Sequence, residues 1–178
     1  FTQEAWIWAD DKGQHRKIMG SAGRGDRPPE DRSPTISYHY NKNRDDNEIR
    51  YGFGYGGSSS INVIVKGLKT DNTWTHIATT FDGTNYKLFV NGEEVNNSPA
   101  GEGKTPLPTP VRYIGTTFRG KIDEVRMWNV ARTQAEIQET MNDTLSGDET
   151  GLVAYYPMAV NNNYSMIIDN SSRTNHAS

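Results

Sequence analysis

The chain has 178 residues, a formal net charge of −3 and no cysteine, and 33% of its residues are hydrophobic. The lack of cysteine excludes disulfides, thiol nucleophiles and cysteine-based zinc sites. The lack of any run of lysine or arginine argues against nucleic-acid binding and membrane-surface binding. The sequence contains no window of about 20 apolar residues, so it predicts no membrane-spanning helix. The length suits a single domain over residues 1–178. Because the sequence begins at Phe1 and shows no signal-peptide pattern, we interpret it as an excised domain or a mature fragment.

Alternation of apolar and polar residues with a period of two dominates the chain and predicts half-buried β-strands. In the first predicted strand, residues 1–9, the two faces differ, with Phe1, Gln3, Ala5 and Ile7 on one and Glu4, Trp6 and Trp8 on the other. Residues 15–20 predict a second strand. Residues 21–33 predict a loop, because glycine and proline punctuate them and apolar residues are nearly absent.

Residues 35–41 and 48–56 predict two further strands with aromatic residues at alternate positions. The predicted core face carries Tyr38, Tyr40, Tyr51, Phe53 and Tyr55, and the opposite face carries Ser37, His39, Asn41, Arg50, Gly52 and Gly54. Residues 60–67 predict the next strand. β-Branched and aromatic residues prevail in these segments, as is typical of sheets.

Two glycine-containing turns connect the strands predicted in residues 74–95. Asp82-Gly83 and Asn91-Gly92 each predict a type I′ hairpin turn, because that turn requires positive φ at both central residues. The segment is therefore predicted to be a three-stranded antiparallel meander. Further strands are predicted near residues 111–115, 120–129 and 151–158.

One short helix is predicted near residues 133–142. Thr133 is a suitable N-cap and Glu136 lies three residues later, which is the capping-box pattern. An apolar stripe at helical spacing follows, formed by Ile137, Met141 and Leu145, and Gly147 can end the element. The stripe is narrow, so the helix is predicted to lie on the surface of the domain.

About ten short strands and one short surface helix predict an all-β protein with an antiparallel β-sandwich or jelly roll. No internal repeat of 20 to 50 residues is present. No composition shift marks a second domain.

The strand predicted at residues 120–129 carries an unusual amount of charge. Strict alternation places Ile122, Glu124, Arg126 and Trp128 on one face and Lys121, Asp123, Val125, Met127 and Asn129 on the other. We interpret Glu124 and Arg126 as a same-face ion pair on an exposed sheet surface that could touch the helix. Asp123 then shares a face with core residues and needs a partner, because burial of an unpaired charge is costly.

Four segments taken together resemble the bacterial laminin G-like domains of the concanavalin A-like lectin/glucanase superfamily. They are FTQEAWIW, WTHIATTFDGTNYKLFVNGEEV, IGTTFRGKIDEVRMWNVARTQAEIQ and GLVAYYPM, in the order that the family has them. The resemblance implies a jelly-roll sandwich of two curved sheets. It says little about function, since a fold hosts many kinds of site.

The resemblance also implies a metal candidate. Related glucanases of this superfamily place an aspartate in a D-x-V-R strand, where it binds a structural Ca²⁺ together with main-chain carbonyls, and Asp123 matches that position. Calcium accepts such oxygen ligands readily. The alternative is that Asp123 accepts backbone N–H bonds or pairs with Arg112 or Arg119.

Two regions are candidates for ligand binding, because sugar recognition uses aromatic surfaces and planar polar side chains. The first is the polar face around His39, Asn41 and Arg50, where alternate glycines leave a trough, unless another segment packs on them. The second is the charged loop with Arg24 and Asp26, which is otherwise a solvated loop. We interpret Trp6 and Trp8 as packing residues.

No catalytic constellation is recognised in the sequence. Retaining glycoside hydrolases need two carboxylates about 5 Å apart, and Asp46 and Glu48 share a face only if their segment is extended. None of the four histidines has a nucleophile or metal-ligand context.

The sequence thus predicts a non-catalytic, lectin-like carbohydrate-binding module with a structural calcium ion, in a secreted or cell-surface protein of bacterial origin. Its expected partner is a polysaccharide or glycan, with no nucleic acid and no membrane insertion. Two alternatives remain. One is an adhesion module that binds a protein or other domains of its parent chain and has no sugar site, and the other is a glycoside hydrolase of the same fold.

Overall fold

The computed structural model describes residues 1–9, 16–20, 33–41, 45–56, 59–68, 70, 72–107, 111–158 and 168–172, with Asn41 described by its backbone alone. Within these residues the chain forms two antiparallel sheets that pack face to face. The prediction of an all-β sandwich with one short helix is confirmed.

Eleven strands lie in the described residues: β1 (Thr2–Ala9), β2 (Arg16–Gly20), β3 (Thr35–Asn41), β4 (Asp46–Tyr55), β5 (Ser59–Leu68), β6 (Trp74–Phe81), β7 (Tyr86–Val90), β8 (Glu93–Ser98), β9 (Tyr113–Ile114), β10 (Gly120–Trp128) and β11 (Leu152–Tyr156). One sheet has six strands in the order β11-β10-β1-β6-β7-β8. The other has five strands in the order β5-β4-β3-β2-β9. The N-terminal strand β1 thus lies between two strands that are distant from it in sequence.

The core lies between the two sheets and is rich in aromatic side chains. The rings of Tyr51 and Tyr86 pack edge to face with their centroids 4.7 Å apart, and the ring centroids of Phe53 and Phe81 are 4.9 Å apart. Tyr38, Tyr40, Tyr51 and Phe53 of the predicted core face are buried, and Tyr55 at the end of that face is half-buried. The apolar face of β1 joins the same core through Ala5 and Ile7.

One of the two predicted hairpin turns is confirmed and the other is longer than predicted. Asn91 and Gly92 have φ values of 51° and 79° and connect β7 directly to β8, as a type I′ turn requires. Between β6 and β7 the chain uses residues 82–85 instead. There the Asp82 carboxylate accepts the N–H groups of Thr84 and Asn85, which stabilises a wider turn.

The helix α1 (Gln134–Thr140) lies on the outer face of the six-stranded sheet, with Ile137 packed on that sheet. Both hydrogen bonds of the predicted capping box between Thr133 and Glu136 are present. The helix ends before Leu145, which packs in a separate cluster with Trp128, Leu152 and Tyr155. In the described part of the chain, no helix is long and apolar enough to cross a bilayer.

A β-bulge in β10 overturns the predicted alternation of residues 120–129. Glu4 pairs with Arg126, whereas Trp6 pairs with Asp123, so Ala5 alone faces two residues of β10. Glu124 occupies the bulge with φ of 49°, a left-handed conformation. Ile122 therefore packs into the core and Asp123 lies on the outer face, which is the reverse of their predicted placement.

Candidate functional site

Four charged or titratable side chains lie buried between the six-stranded sheet and α1 with its flanking loops. We call Glu4, His76, Arg126 and Arg132 the buried charge cluster. Glu4 and Arg126 are fully buried. The sequence-based interpretation of Arg126 as an exposed residue is thus wrong, because α1 and the residues after it cover this part of the sheet.

Glu4 is the centre of the buried charge cluster. Its Oε1 accepts the indole N–H of Trp128 at 2.7 Å and an N–H of Arg132 at 3.1 Å, and its Oε2 lies 3.3 Å from Nε2 of His76. Burial by itself raises the pKa of Glu4. The hydrogen bond and charge of His76, with the charges of Arg126 and Arg132, outweigh burial, so the pKa lies below its ordinary value of 4.5.

We expect the protein to lose stability in acid through Glu4. A lowered pKa in the folded state means that ionised Glu4 stabilises the fold above about pH 4.5, and that this contribution is lost as the pH falls through the folded-state pKa. Urea unfolding should give a free energy of unfolding that decreases as the pH is lowered from 6 to 3. Protonation of Glu4 alone can contribute at most about 1.4 kcal/mol per pH unit to this decrease. The Glu4→Gln variant should show a shallower fall, and an unchanged slope would contradict this assignment.

Arg126 connects the sheet to the C-terminal end of α1 and to the residues that follow it. Its guanidinium donates to the main-chain carbonyls of Thr140 and Asp143 and to the carboxylate of Glu124. On the same side, the indole N–H of Trp6 donates to the carbonyl of Met141 at 2.7 Å. These donors hold residues 141–144, which we call the 141–144 loop, against the outer face of the sheet.

The 141–144 loop forms one wall of a cleft of about 340 Å³, which we call the tryptophan cleft. Its lining consists of Trp6, Trp74, Asp123, Glu124, Met141, Asn142, Asp143 and Thr144. Trp74 is 42% exposed, whereas Trp6 is half-buried. The ring of Trp6 packs in a tilted orientation against the ring of His76, with the two ring centroids 5.4 Å apart. The cleft thus combines aromatic surface with carboxylate, amide and hydroxyl groups.

The two adjacent carboxylates of the tryptophan cleft differ in their contacts. Glu124 accepts hydrogen bonds from Arg126 and from the hydroxyl of Tyr155. Asp123 accepts the N–H of Glu124 at 2.9 Å and forms no ion pair within the described residues. Partial burial and the nearby charge of Glu124 raise the pKa of Asp123. Asp123 therefore retains acceptor capacity toward a ligand in the cleft.

A calcium ion at Asp123 would require several oxygen ligands. Among the described side chains, no group of three or more Asp, Glu or His residues could hold a metal ion. The nearby carbonyls of Met141 and Asp143 already accept hydrogen bonds from Trp6 and Arg126. Each of these carbonyl oxygens keeps a second lone pair, and the calcium ion at Asp123 stays a prediction.

The structure brings His39 and Arg50 together on the outer face of the five-stranded sheet. His39 pairs across the strands with Glu48, whose carboxylate accepts two hydrogen bonds from Arg50, the shorter at 2.9 Å. His39 and Glu48 are buried, so this part of the predicted trough is covered. A side chain at Gly52 would collide with the carbonyl of Ile61 on β5, which explains that glycine by close strand approach.

Other sequence-based candidates are placed only in part. The backbone of Asn41 pairs with that of Asp46, and its side chain lies outside the described residues, as do Arg24 and Asp26. Asp46 and Glu48 do alternate on one face of β4. Because Glu48 is buried and ion-paired with Arg50, it does not offer an open carboxylate of the kind that a glycosidase cleft needs.

Sequence reasoning missed the tryptophan cleft. Trp6, Trp74 and Asp123 come from three segments that meet only because β1 lies between β6 and β10. The available signal was the position of Trp6 on the same face as Glu4, away from the core side of β1.

Comparison with known proteins places residues 1–138 in one family. These residues match the profile of a laminin G-type family described as part of the concanavalin A-like lectin/glucanases superfamily. The matched region contains β1 to β10 and most of α1.

Several known proteins resemble this chain in sequence or in fold. A proposed carbohydrate-binding protein of Bacteroides ovatus is 25% identical and aligns with a TM-score of 0.68 over 99% of this chain and 50% of that protein. Pappalysin-1 of mouse and of human is 28% identical over an alignment of 155 residues, and the alignment covers 79% of this chain and 10% of pappalysin-1. A SAP-like pentraxin of Limulus polyphemus, 12% identical with a TM-score of 0.55 over 80% of this chain and 70% of the pentraxin chain, shares the fold alone.

Proposed function

The chain belongs to the laminin G-like domains of the concanavalin A-like lectin/glucanase superfamily, and from that premise we propose that it is a non-catalytic module that binds a glycan in the tryptophan cleft. The fold and the similarity to the Bacteroides ovatus protein support a binding module. The chain spans half of that protein and a tenth of pappalysin-1, so the module would act as one part of a longer protein.

The observation that carries this proposal is the exposure of Trp74 beside the carboxylates of the cleft. The C–H face of a pyranose ring can stack on an indole, while its hydroxyl groups need acceptors and donors close by. Asp123, Asn142 and Thr144 offer those groups along the wall of the cleft. A cleft with this lining therefore suits an uncharged sugar ring.

The setting of the module is also part of the proposal. We place it outside the cell, in a secreted or cell-surface bacterial protein, because glycans of that environment would be its partners. A structural calcium ion near Asp123 and a second glycan surface at His39, Asn41 and Arg50 remain hypotheses that the same binding experiments test.

Replacing Trp74 with alanine is expected to weaken glycan binding about tenfold or more, because the variant loses one stacking surface. A glycan array would first identify a bound sugar, and calorimetry would then compare the variant with the wild type. Tyr113→Ala is the matched control, since Tyr113 is a similarly exposed aromatic residue, at 47%, on the other sheet. The Tyr113→Ala variant should bind the glycan with the affinity of the wild type.

Other outcomes of the same experiment would point elsewhere. Binding that survives Trp74→Ala but is lost with Arg50→Ala would move the site to the face of β3 and β4. Binding abolished by EDTA and restored by Ca²⁺ would support the calcium hypothesis. Tight binding to a protein with no glycan bound would favour an adhesion module, and turnover lost in Asp46→Asn or Glu48→Gln would favour a hydrolase.

A further inference from the structure

Trp8 lies two residues after Trp6 on the same face of β1, and it is further from α1 than Trp6 is. Its neighbours across the strands are Trp74 on β6 and Lys121 on β10, so these three side chains form one row across the sheet. Trp8 is half-buried and does not belong to the core between the sheets. Lys121 is exposed, and its Nζ lies 5.4 Å from the centre of the Trp8 ring.

This row adjoins the tryptophan cleft along β1 through Trp74, while Trp8 and Lys121 lie outside the cleft lining. At the other end the cleft is closed, because Glu4 and Arg126, the next pair in register, are fully buried and Arg126 holds the carbonyls of Thr140 and Asp143. Trp74 lines the cleft and is also the neighbour of Trp8. A ligand that is longer than the cleft along β1 would therefore reach the Trp8 row.

We propose that Trp8 forms a second subsite that stacks on the sugar adjoining the one in the tryptophan cleft. The inference rests on the proposed function and makes it more specific: the ligand is an oligosaccharide or polysaccharide chain, and a lone monosaccharide occupies only part of the site. Lys121 stands beside the ring with ammonium donors for the hydroxyl groups of that second sugar. Antiparallel neighbours lie within reach of one sugar unit, since directly opposed Cβ atoms are about 5 Å apart.

The test measures affinity against ligand length with gluco-, xylo-, manno- and arabino-oligosaccharides of one, two, three and six units. Wild-type affinity for the bound series should rise about tenfold or more from one unit to three. Trp8→Ala should abolish this rise and keep the affinity for the single unit. Trp8→Phe retains an aromatic ring and should restore most of the rise, and Tyr113→Ala should behave like the wild type.

Three results would overturn the proposal, and they are distinguishable from one another. A wild-type affinity independent of length excludes a second subsite. A full rise in Trp8→Ala, with the variant shown by its melting temperature to be folded, places the second subsite elsewhere. Absence of binding to every glycan, single units included, removes the proposed function and this inference with it.

Discussion

Replacing Glu4 with glutamine is expected to lower the free energy of unfolding by about 3 kcal/mol, because the change leaves buried guanidinium groups without their shared counter-charge. Glutamine keeps the shape of the side chain, so packing changes little. Glu4 contacts Arg132, lies near Arg126 and accepts the indole N–H of Trp128. Urea unfolding at pH 7 measures the difference.

The matched control for this prediction is Glu94→Gln. Glu94 pairs with Lys87 at 2.9 Å, but both side chains are about one third exposed. Solvent screens such a pair, so its loss should change stability by about 0 to 1 kcal/mol. A similar small effect for Glu4→Gln would mean that the buried charge cluster does not depend on its carboxylate.

Replacing Arg126 with lysine is expected to reduce both stability and glycan affinity. The planar guanidinium reaches two main-chain carbonyls and the Glu124 carboxylate at once, and an ammonium group cannot reproduce that geometry. We expect a loss of about 2 kcal/mol from unsatisfied buried acceptors. We also expect a loss of about tenfold in affinity, because the 141–144 loop that forms the cleft wall loses its anchors.

Arg112→Lys is the control for that substitution, since Arg112 is an exposed residue next to β9 on the other sheet. Affinity must be measured at a temperature where Arg126→Lys is fully folded, so that the two effects are separated. A folded Arg126→Lys variant with wild-type affinity would show that the cleft wall does not depend on this arginine.

Much of the fold follows from local sequence patterns. The alternation of Tyr38, Tyr40, Tyr51 and Phe53 predicts the core face of two strands, and burial confirms it. Thr133 and Glu136 predict the start of the helix, because a capping box depends only on residues three positions apart. Rules of this kind use interactions between near neighbours, which a sequence displays directly.

The errors fall where distant segments decide the structure. The bulge at Glu124 reverses the faces of Ile122 and Asp123, and strict alternation cannot reveal an added residue. The helix ends at Thr140 although the apolar stripe continues to Leu145. There the buried guanidinium of Arg126 holds the carbonyls of Thr140 and Asp143, a contact from a strand earlier in the chain.

The candidate site was even less accessible from the sequence. In the sequence Trp6 looks like a packing residue, Trp74 is one residue of a predicted strand, and Asp123 looks like a lone carboxylate at the edge of the core. Their proximity depends on the register of β1 against both β6 and β10. For His39 and Arg50 the sequence suggested a site that the structure supports only in part. Their polar face predicted an open trough, but His39 and Glu48 on that face are buried.

The sequence by itself determined that this protein is an antiparallel β-sandwich with one capped helix, because period-two alternation and capping are properties of neighbouring residues. The laminin G-like type followed from the resemblance of four segments to that family. The tertiary structure alone decided which charges are buried and which side chains come together in the tryptophan cleft. The physical reason is that β1 pairs with β6 and β10, two strands from distant parts of the chain, and a bulge in β10 opposite Ala5 sets which side chains share the tryptophan cleft.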